Sequence, residues 1–363
     1  MSATPALGPY RIGERLGTSV WIAEDTRSGR NVALKLLSKQ MPKDPAKREA
    51  MVRDVRVTAA LYHVFLVPIV EITPIGDNLV MIMDVVDGQS LAKRFHGQPV
   101  DRTEFFRIAY QLVDVLKFLH LKGIRHANIN SDSVMISADG HVRLGGLNLV
   151  NLLPHEGQSL VYQQKGNDPR SVAYLAPELI TGRESDDRAD IFSTGVVLYE
   201  LATGKLPFTG ATAADVARAI VEGQPASPKA IHPGIDPAVL SILGGCLYKD
   251  PFKRVKEAKL LLDAVVKLDA DAATFATNLA RRITQPDAVV APDATRKAIL
   301  LVAELANYAE LEAGDPERAK KASARMQQIV GESVFLFDGT IVDPFGARLI
   351  AELPSIDSAL EAA

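Results

Sequence analysis

The chain has 363 residues, 47% of them hydrophobic and 23% charged, so it can bury a large core and is neither a disordered tail nor a fibrous repeat. A formal net charge of -3 excludes a strongly basic surface made for nucleic acid or anionic lipid. The single cysteine, Cys246, excludes an internal disulfide framework and reads as a small core residue in a reducing compartment. Residues 1–10 hold no basic segment leading into an apolar run, and no uncharged apolar stretch of about 20 residues occurs. The expectation is therefore a cytoplasmic protein with no membrane insertion.

The first hundred residues favour strands. Residues 10–16, 20–24 and 31–36 are short runs with β-branched or aromatic members, separated by turn residues such as Ser28-Gly29. Residues 46–61 read as a helix, with apolar positions at Met51, Val55 and Val57. Strands at 69–74 and 79–83 follow, joined at Gly76-Asp77-Asn78. From Asp101 on, helical spacing dominates, over 101–122, 189–203, 214–222, 237–248 and 256–268. A small β-rich piece followed by a larger helical one is an α+β architecture.

Beyond residue 270 the pattern predicts helices over 293–313 and 315–330, joined at Gly314-Asp315-Pro316. A β-hairpin is predicted around Asp338-Gly339, with strands at 334–337 and 340–342. The first helix would carry Ile299, Val302, Leu305 and Ala306 as a stripe, the second Ala319, Ala322 and Met326, and the hairpin Phe335 and Phe337. That apolar surface needs cover, expected from the chain's own larger lobe, with a dimer as the runner-up.

Several short motifs occur in order. They are Val32-Ala33-Leu34-Lys35, Gly123-Ile124-Arg125-His126, Tyr174-Leu175-Ala176-Pro177-Glu178, Asp190-Ile191-Phe192-Ser193-Thr194-Gly195, Gly204-Lys205-Leu206-Pro207-Phe208 and Lys249-Asp250-Pro251 followed by Arg254. On these, residues 9 to about 268 resemble the bacterial eukaryotic-like Ser/Thr protein kinases. The resemblance implies a two-lobed protein-kinase-like fold, with an N-lobe at 1–86, a C-lobe at 87–270 and a C-terminal extension at 271–363.

It also implies chemistry that these residues do not match. Phosphoryl transfer in the family uses a glycine-rich loop, a lysine, magnesium held by Asp and Asn, and an Asp that takes the hydroxyl proton. Here Leu16-Gly17 is followed by Thr18-Ser19 and then Val20-Trp21-Ile22-Ala23, about four residues short and without two of the three glycines. Asn128 stands at the place of the proton acceptor, and an amide does not take a proton near neutral pH. Asn130 stands for the lysine, Ser133 for the metal-binding Asn, Ala127 for an arginine, and Gly146 for the metal-binding Asp. Asp132 reads as a turn or helix cap, and Asn148 as a turn residue.

Framework positions are kept. Lys35 would face Asp54, Glu178 would pair with Arg254, Asp190 would hold the catalytic-loop backbone, and His126 keeps its packing place. Val20, Ala33, Lys35, Met83 and Met135 would line a vestigial nucleotide pocket, with Asp84-Val85-Val86 as hinge.

The expected function is that of a catalytically inactive pseudokinase, no enzyme, with no cofactor and no metal. It would act as a protein-interaction scaffold or regulator in bacterial signalling. Its partner would be another protein, such as an active kinase or signalling protein, with a homodimer as an alternative and no nucleic acid. The rival readings are a nucleotide or small-molecule sensor without turnover, and an unconventional phosphotransferase.

Overall fold

The computed structural model describes residues 6–17, 20–38, 61, 63–138, 140–148 and 168–269, and beyond these 271, 272, 274, 299–304, 315, 318, 322, 326, 340–343 and 348–353. The chain divides into two compact units, 1–276 and 277–363, each described here by itself.

The strand-forming runs of the first unit build a six-stranded antiparallel sheet. Its members are β1 (Ala6–Leu7), β2 (Tyr10–Gly17), β3 (Val20–Asp25), β4 (Asn31–Ser38), β5 (Ile69–Ile75) and β6 (Asn78–Asp84), in the order β1-β2-β3-β4-β6-β5. Alternation along the strands sends Tyr10, Ala23, Val32, Leu34, Val80 and Ile82 into one apolar cluster. Gly17 pairs with Val20, so only two residues connect β2 to β3.

A second, three-stranded sheet holds β7 (Gly88–Ser90), β8 (Val134–Ser137) and β9 (Val142–Leu144). The helices are α1 (Leu91–Phe95), α2 (Arg102–Leu121), α3 (Pro169–Val172), α4 (Pro177–Ile180), α5 (Arg188–Thr203), α6 (Ala213–Glu222), α7 (Pro228–Ile231), α8 (Pro237–Cys246) and α9 (Ala258–Leu268). Their starts are written in the sequence. Asp101 accepts from the N–H of Glu104 at 2.9 Å, and Thr212 with Asp215 forms a reciprocal capping box.

Helix α5 is buried at every position except Arg188 and Glu200, as befits an element that is apolar on all faces. Gly195 lets it approach α8 closely, since a Cβ there would lie 2.4 Å from that of Cys246. A fully buried ion pair ties α4 to the segment before α9. Arg254 Nη1 and Nη2 donate to the two carboxylate oxygens of Glu178 at 2.6 and 2.7 Å. Its remaining N–H groups reach the carbonyls of Tyr248 (2.7 Å), Arg188 (3.0 Å) and Lys249 (3.1 Å), and the guanidinium lies over the ring of Phe192. All five donors are thus satisfied inside the protein.

In the second unit, β10 (Ile299–Glu304), β12 (Arg348–Leu353) and β11 (Thr340–Asp343) form an antiparallel sheet with β12 in the middle. This corrects the helix expected over 293–313. The run Ile299-Leu300-Leu301-Val302 is short and continuously apolar, a pattern that fits a strand and a buried helix equally well. Of the expected hairpin, only the arm at 340–342 falls among the described residues, as part of β11. Residues 340–343 pair with 348–353, a neighbour the sequence reading did not give, and the other expected arm, 334–337, lies outside the described residues. Arg318, Ala322 and Met326 are helical, and Asp315 accepts from the N–H of Arg318 at 3.0 Å. The helix expected over 46–61, with Asp54, lies outside the described residues as far as 60, and Leu61 is described and not helical.

Removing the Glu178 carboxylate would leave a buried guanidinium without its counter-charge. Glu178→Ala is therefore expected to lower unfolding free energy by about 3–5 kcal/mol in denaturant titration. A loss under about 1 kcal/mol would show that the pair does not tie these segments together.

Candidate functional site

Partners across a ladder share a face, and β3, β4 and β6 use this to build the cleft wall. Val20 pairs with Lys35, Ile22 with Ala33, and Ala33 with Met83, so these side chains lie on the face opposite the apolar cluster. Ala33, Lys35 and Met83 are buried and Val20 is half-buried. Met135 sits apart on β8, half-buried, opposite Ser90.

The Lys35 ammonium donates to the Gly146 carbonyl at 2.7 Å and also to that of Leu147. The same Gly146 carbonyl accepts from Asn128 Nδ2 at 3.0 Å. Gly146 has φ +75°, and a Cβ on it would lie 3.2 Å from both Asn128 Nδ2 and Ser133 Cβ. The structure therefore brings Lys35, Asn128, Ser133 and Gly146 together.

Asn130 folds back on its own turn. Its Oδ1 accepts from the N–H groups of Asp132 and Ser133 at 3.0 Å each, and its Nδ2 donates to the Asn128 carbonyl at 2.8 Å. Ser133 Oγ donates to the Asn130 carbonyl at 2.9 Å. These groups do not fit a magnesium ion. Gly146 brings no side-chain oxygen, and the Ser133 hydroxyl is held within the turn.

Beneath the turn, Asp190 of α5 holds the loop by its backbone. Its carboxylate accepts from the N–H groups of His126 (2.7 Å) and Ala127 (2.8 Å), and His120 Nε2 lies 3.1 Å away. Burial by itself would raise the pKa of this acid. The His120 contact, the nearby His126 and the backbone N–H groups outweigh burial and hold it below the usual aspartate value. His126 is fully buried, with Nε2 at 3.0 Å from the Gly145 carbonyl.

The sequence reading missed a second polar cluster beside this loop. Glu200 accepts from Ser131 Oγ, from the Tyr174 hydroxyl at 2.6 Å and from Arg170 Nη2 at 3.0 Å. Burial and the Glu200 charge push the Tyr174 phenol well up. The only signal was a lone glutamate in an otherwise buried helix. His120 was missed as well, since its partner is 70 residues away.

Three comparisons set this geometry among known proteins. The family model described as the protein kinase domain matches residues 10–265. The chain belongs to the protein kinase family. It is 31% identical over 258 residues to the serine/threonine-protein kinase PknB of Mycobacterium tuberculosis, covering 69% of this chain and 41% of PknB. It is 28% identical over 296 residues to PknB of Mycolicibacterium smegmatis, covering 79% of this chain and 47% of that protein. The chain thus spans less than half the length of these relatives. The crystal structure of the Mycobacterium tuberculosis PknI kinase domain superposes with a TM-score of 0.55 at 21% identity, over 74% of this chain and all of that domain. That likeness shows the two-lobed kinase fold.

These matches correct the expectation that the chain is no enzyme. Relatives named as Ser/Thr kinases share 28–31% identity with it, which places it in an enzyme family and does not show catalytic function to be lost. The physical reason is that a motif letter states which group stands at a position. It does not state which neighbouring group can take over that group's role.

Two outcomes test the site. Gly146→Asp must place a Cβ at positive φ against Asn128 and Ser133, and is expected to cost about 1–3 kcal/mol in thermal or chemical denaturation. A neutral effect would place this backbone elsewhere. The Asp190 pKa is lower in the folded chain than the unfolded value of about 3.9. Its stabilisation is therefore complete above about pH 3.9 and is lost as pH falls through the lower folded value. Asp190→Asn should remove that part of the acid dependence of stability, measured as unfolding free energy between about pH 5 and pH 2.

Proposed function

We propose that this member of the protein kinase family acts in bacterial signalling as a protein-binding regulator that works through the shape of its lobes. The supporting observation is the state of the cleft. The Lys35 ammonium and the Asn128 amide both bond to the Gly146 carbonyl. The groups that fix shape, Asp190 and the Glu178–Arg254 pair, are fully bonded. The partner is another protein, with a kinase or second signalling protein as the first class to test.

A second reading, phosphoryl transfer by this chain, is favoured by its family membership and by the burial of Lys35 on the cleft wall. It draws on the relatives' names, and the chain spans only part of their length.

The test uses the full chain. Capture of binding proteins should be unchanged by Lys35→Met and Asn128→Ala and reduced by Glu178→Ala, which disturbs shape. Millimolar Mg-ATP should move Tm by less than about 5 °C, because a ligand at 100 times its Kd gives about 2.7 kcal/mol, roughly 5–10 °C here. A larger shift, with label transfer abolished by Lys35→Met, would replace the regulator reading with the phosphotransferase.

A further inference from the structure

Between α4 and α5 runs an exposed loop, 181–187, that no part of the proposed role uses. Within it Ser185 is half-exposed. Arg125 Nη1 donates to the Ser185 hydroxyl oxygen at 3.0 Å and to the Ser185 carbonyl at 2.6 Å. Among the described residues no carboxylate forms an ion pair with Arg125. Arg125 is half-buried, its hydrogen bonds go to the neutral hydroxyl and carbonyl of Ser185, and the Asp187 carboxylate lies within electrostatic reach without an ion pair.

The position of Arg125 gives the contact reach. It directly precedes His126 and Ala127, whose N–H groups Asp190 holds, and Ala127 sits at φ 55°, in the left-handed region. Whatever fixes Arg125 also stiffens that strained loop.

We propose that Ser185 is a phosphorylation site and that Arg125 receives its phosphate, tying the α4–α5 loop to the catalytic-type loop. A phosphoserine brings a charge of about -1.5 to -2 and three strong acceptor oxygens, which a guanidinium binds through charge-assisted bonds. Ser185 Oγ forms the new bond to the γ-phosphorus of ATP, and the bond from that phosphorus to the bridging oxygen breaks. ADP leaves, and the hydroxyl proton goes to the base of the modifying enzyme. That enzyme is a serine kinase tolerant of acidic flanks, since Glu184, Asp186 and Asp187 surround the serine in sequence.

The same acids set the opposing force. Asp186 is committed to Arg188, whose Nη2 lies 2.5 Å from its Oδ2. Asp187 has its pKa raised, first by burial and also by Asp190 and Asp186, against the lowering effect of His120 and Arg125. The new phosphate therefore meets one guanidinium at contact distance, with Asp186 paired to Arg188 and Asp187 the acid that competes for Arg125. The inference does not depend on the regulator reading, because it concerns a modification the chain receives.

The test places phosphoserine at position 185 of the full chain by genetic-code expansion. Expected are a Tm raised by about 2–4 °C and slower amide exchange at residues 126–128, with both gains absent in Arg125→Ala. Arg125→Gln serves if the alanine variant does not fold. In a second arm, Mg-ATP with an acid-directed serine kinase should label Ser185 in the intact protein and leave Ser185→Ala unlabelled there. Tm unchanged or lowered, equal changes with and without Arg125, or labelling of other serines with Ser185 left bare would each overturn the proposal.

Discussion

The cleft hangs from one buried carboxylate. Asp190 lies on a helix packed on nearly all sides, so it cannot shift without disturbing the lobe, and its oxygens take two consecutive backbone N–H groups of the loop above. Those bonds hold Ala127 at φ 55°, where a residue with a Cβ sits at a cost in backbone strain. Charge-assisted bonds to a buried acid are stronger than neutral ones, which is how the strained turn can persist. With the backbone fixed there, the Asn148 N–H reaches the His126 carbonyl at 3.0 Å and the Gly145 N–H reaches that of Ser133 at 2.8 Å. The segment carrying Gly146 is thereby laid against the turn carrying Asn128 and Ser133.

The same helix organises the opposite wall. Ser193 Oγ donates to the Tyr174 carbonyl at 2.7 Å, and Glu200 gathers Tyr174, Ser131 and Arg170. Arg254 extends the arrangement by binding Glu178 at the start of α4 and the carbonyl of Arg188 at the start of α5. Two buried acids, one on α4 and one on α5, thus set where the segments around the cleft run. A buried acid and its partners stand or fall together, since removing one strands the other's charge.

Much of the fold was legible because its signals are local. Turn residues, β-branched and aromatic runs and helical spacing of apolar residues marked the sheet strands and the long helices to within a few residues, for instance 101–122 against Arg102–Leu121. The site was legible as a set of positions, since the ordered motifs fix where Asn128, Ser133 and Gly146 fall. What those groups touch was not legible. The Lys35–Gly146 bond spans 111 residues, and nothing near Lys35 in sequence points to a backbone carbonyl as its acceptor. The strand Ile299–Glu304 failed for a different reason. A five-residue apolar run ending at Glu304 has no periodicity to separate strand from helix, and the partner that decides the matter, Arg348–Leu353, comes more than 40 residues later. Motif letters also could not decide activity, and the family match overruled the inference drawn from them.

The substituted positions behave as one unit. With no Cβ and φ +75°, Gly146 can turn its carbonyl toward both Lys35 Nζ and Asn128 Nδ2. A carboxylate side chain at 146 would need the space taken by Asn128 Nδ2 and Ser133 Cβ and a backbone angle that L-residues avoid. A carboxylate at 128 would have no N–H to donate to the Gly146 carbonyl, and would set two acceptors against each other. Each residue is therefore suited to its neighbours as they stand, and a change at one shifts the demand on the others. Single substitutions toward the family pattern are consequently poor reporters of what this cleft can do, because each measures strain and lost bonds before it measures chemistry. Altering 128, 133 and 146 together relieves the side-chain contacts in one step and leaves the positive φ at 146 as the remaining demand of the frame, and that is the comparison in which the frame and the chemistry of this kinase fold come apart.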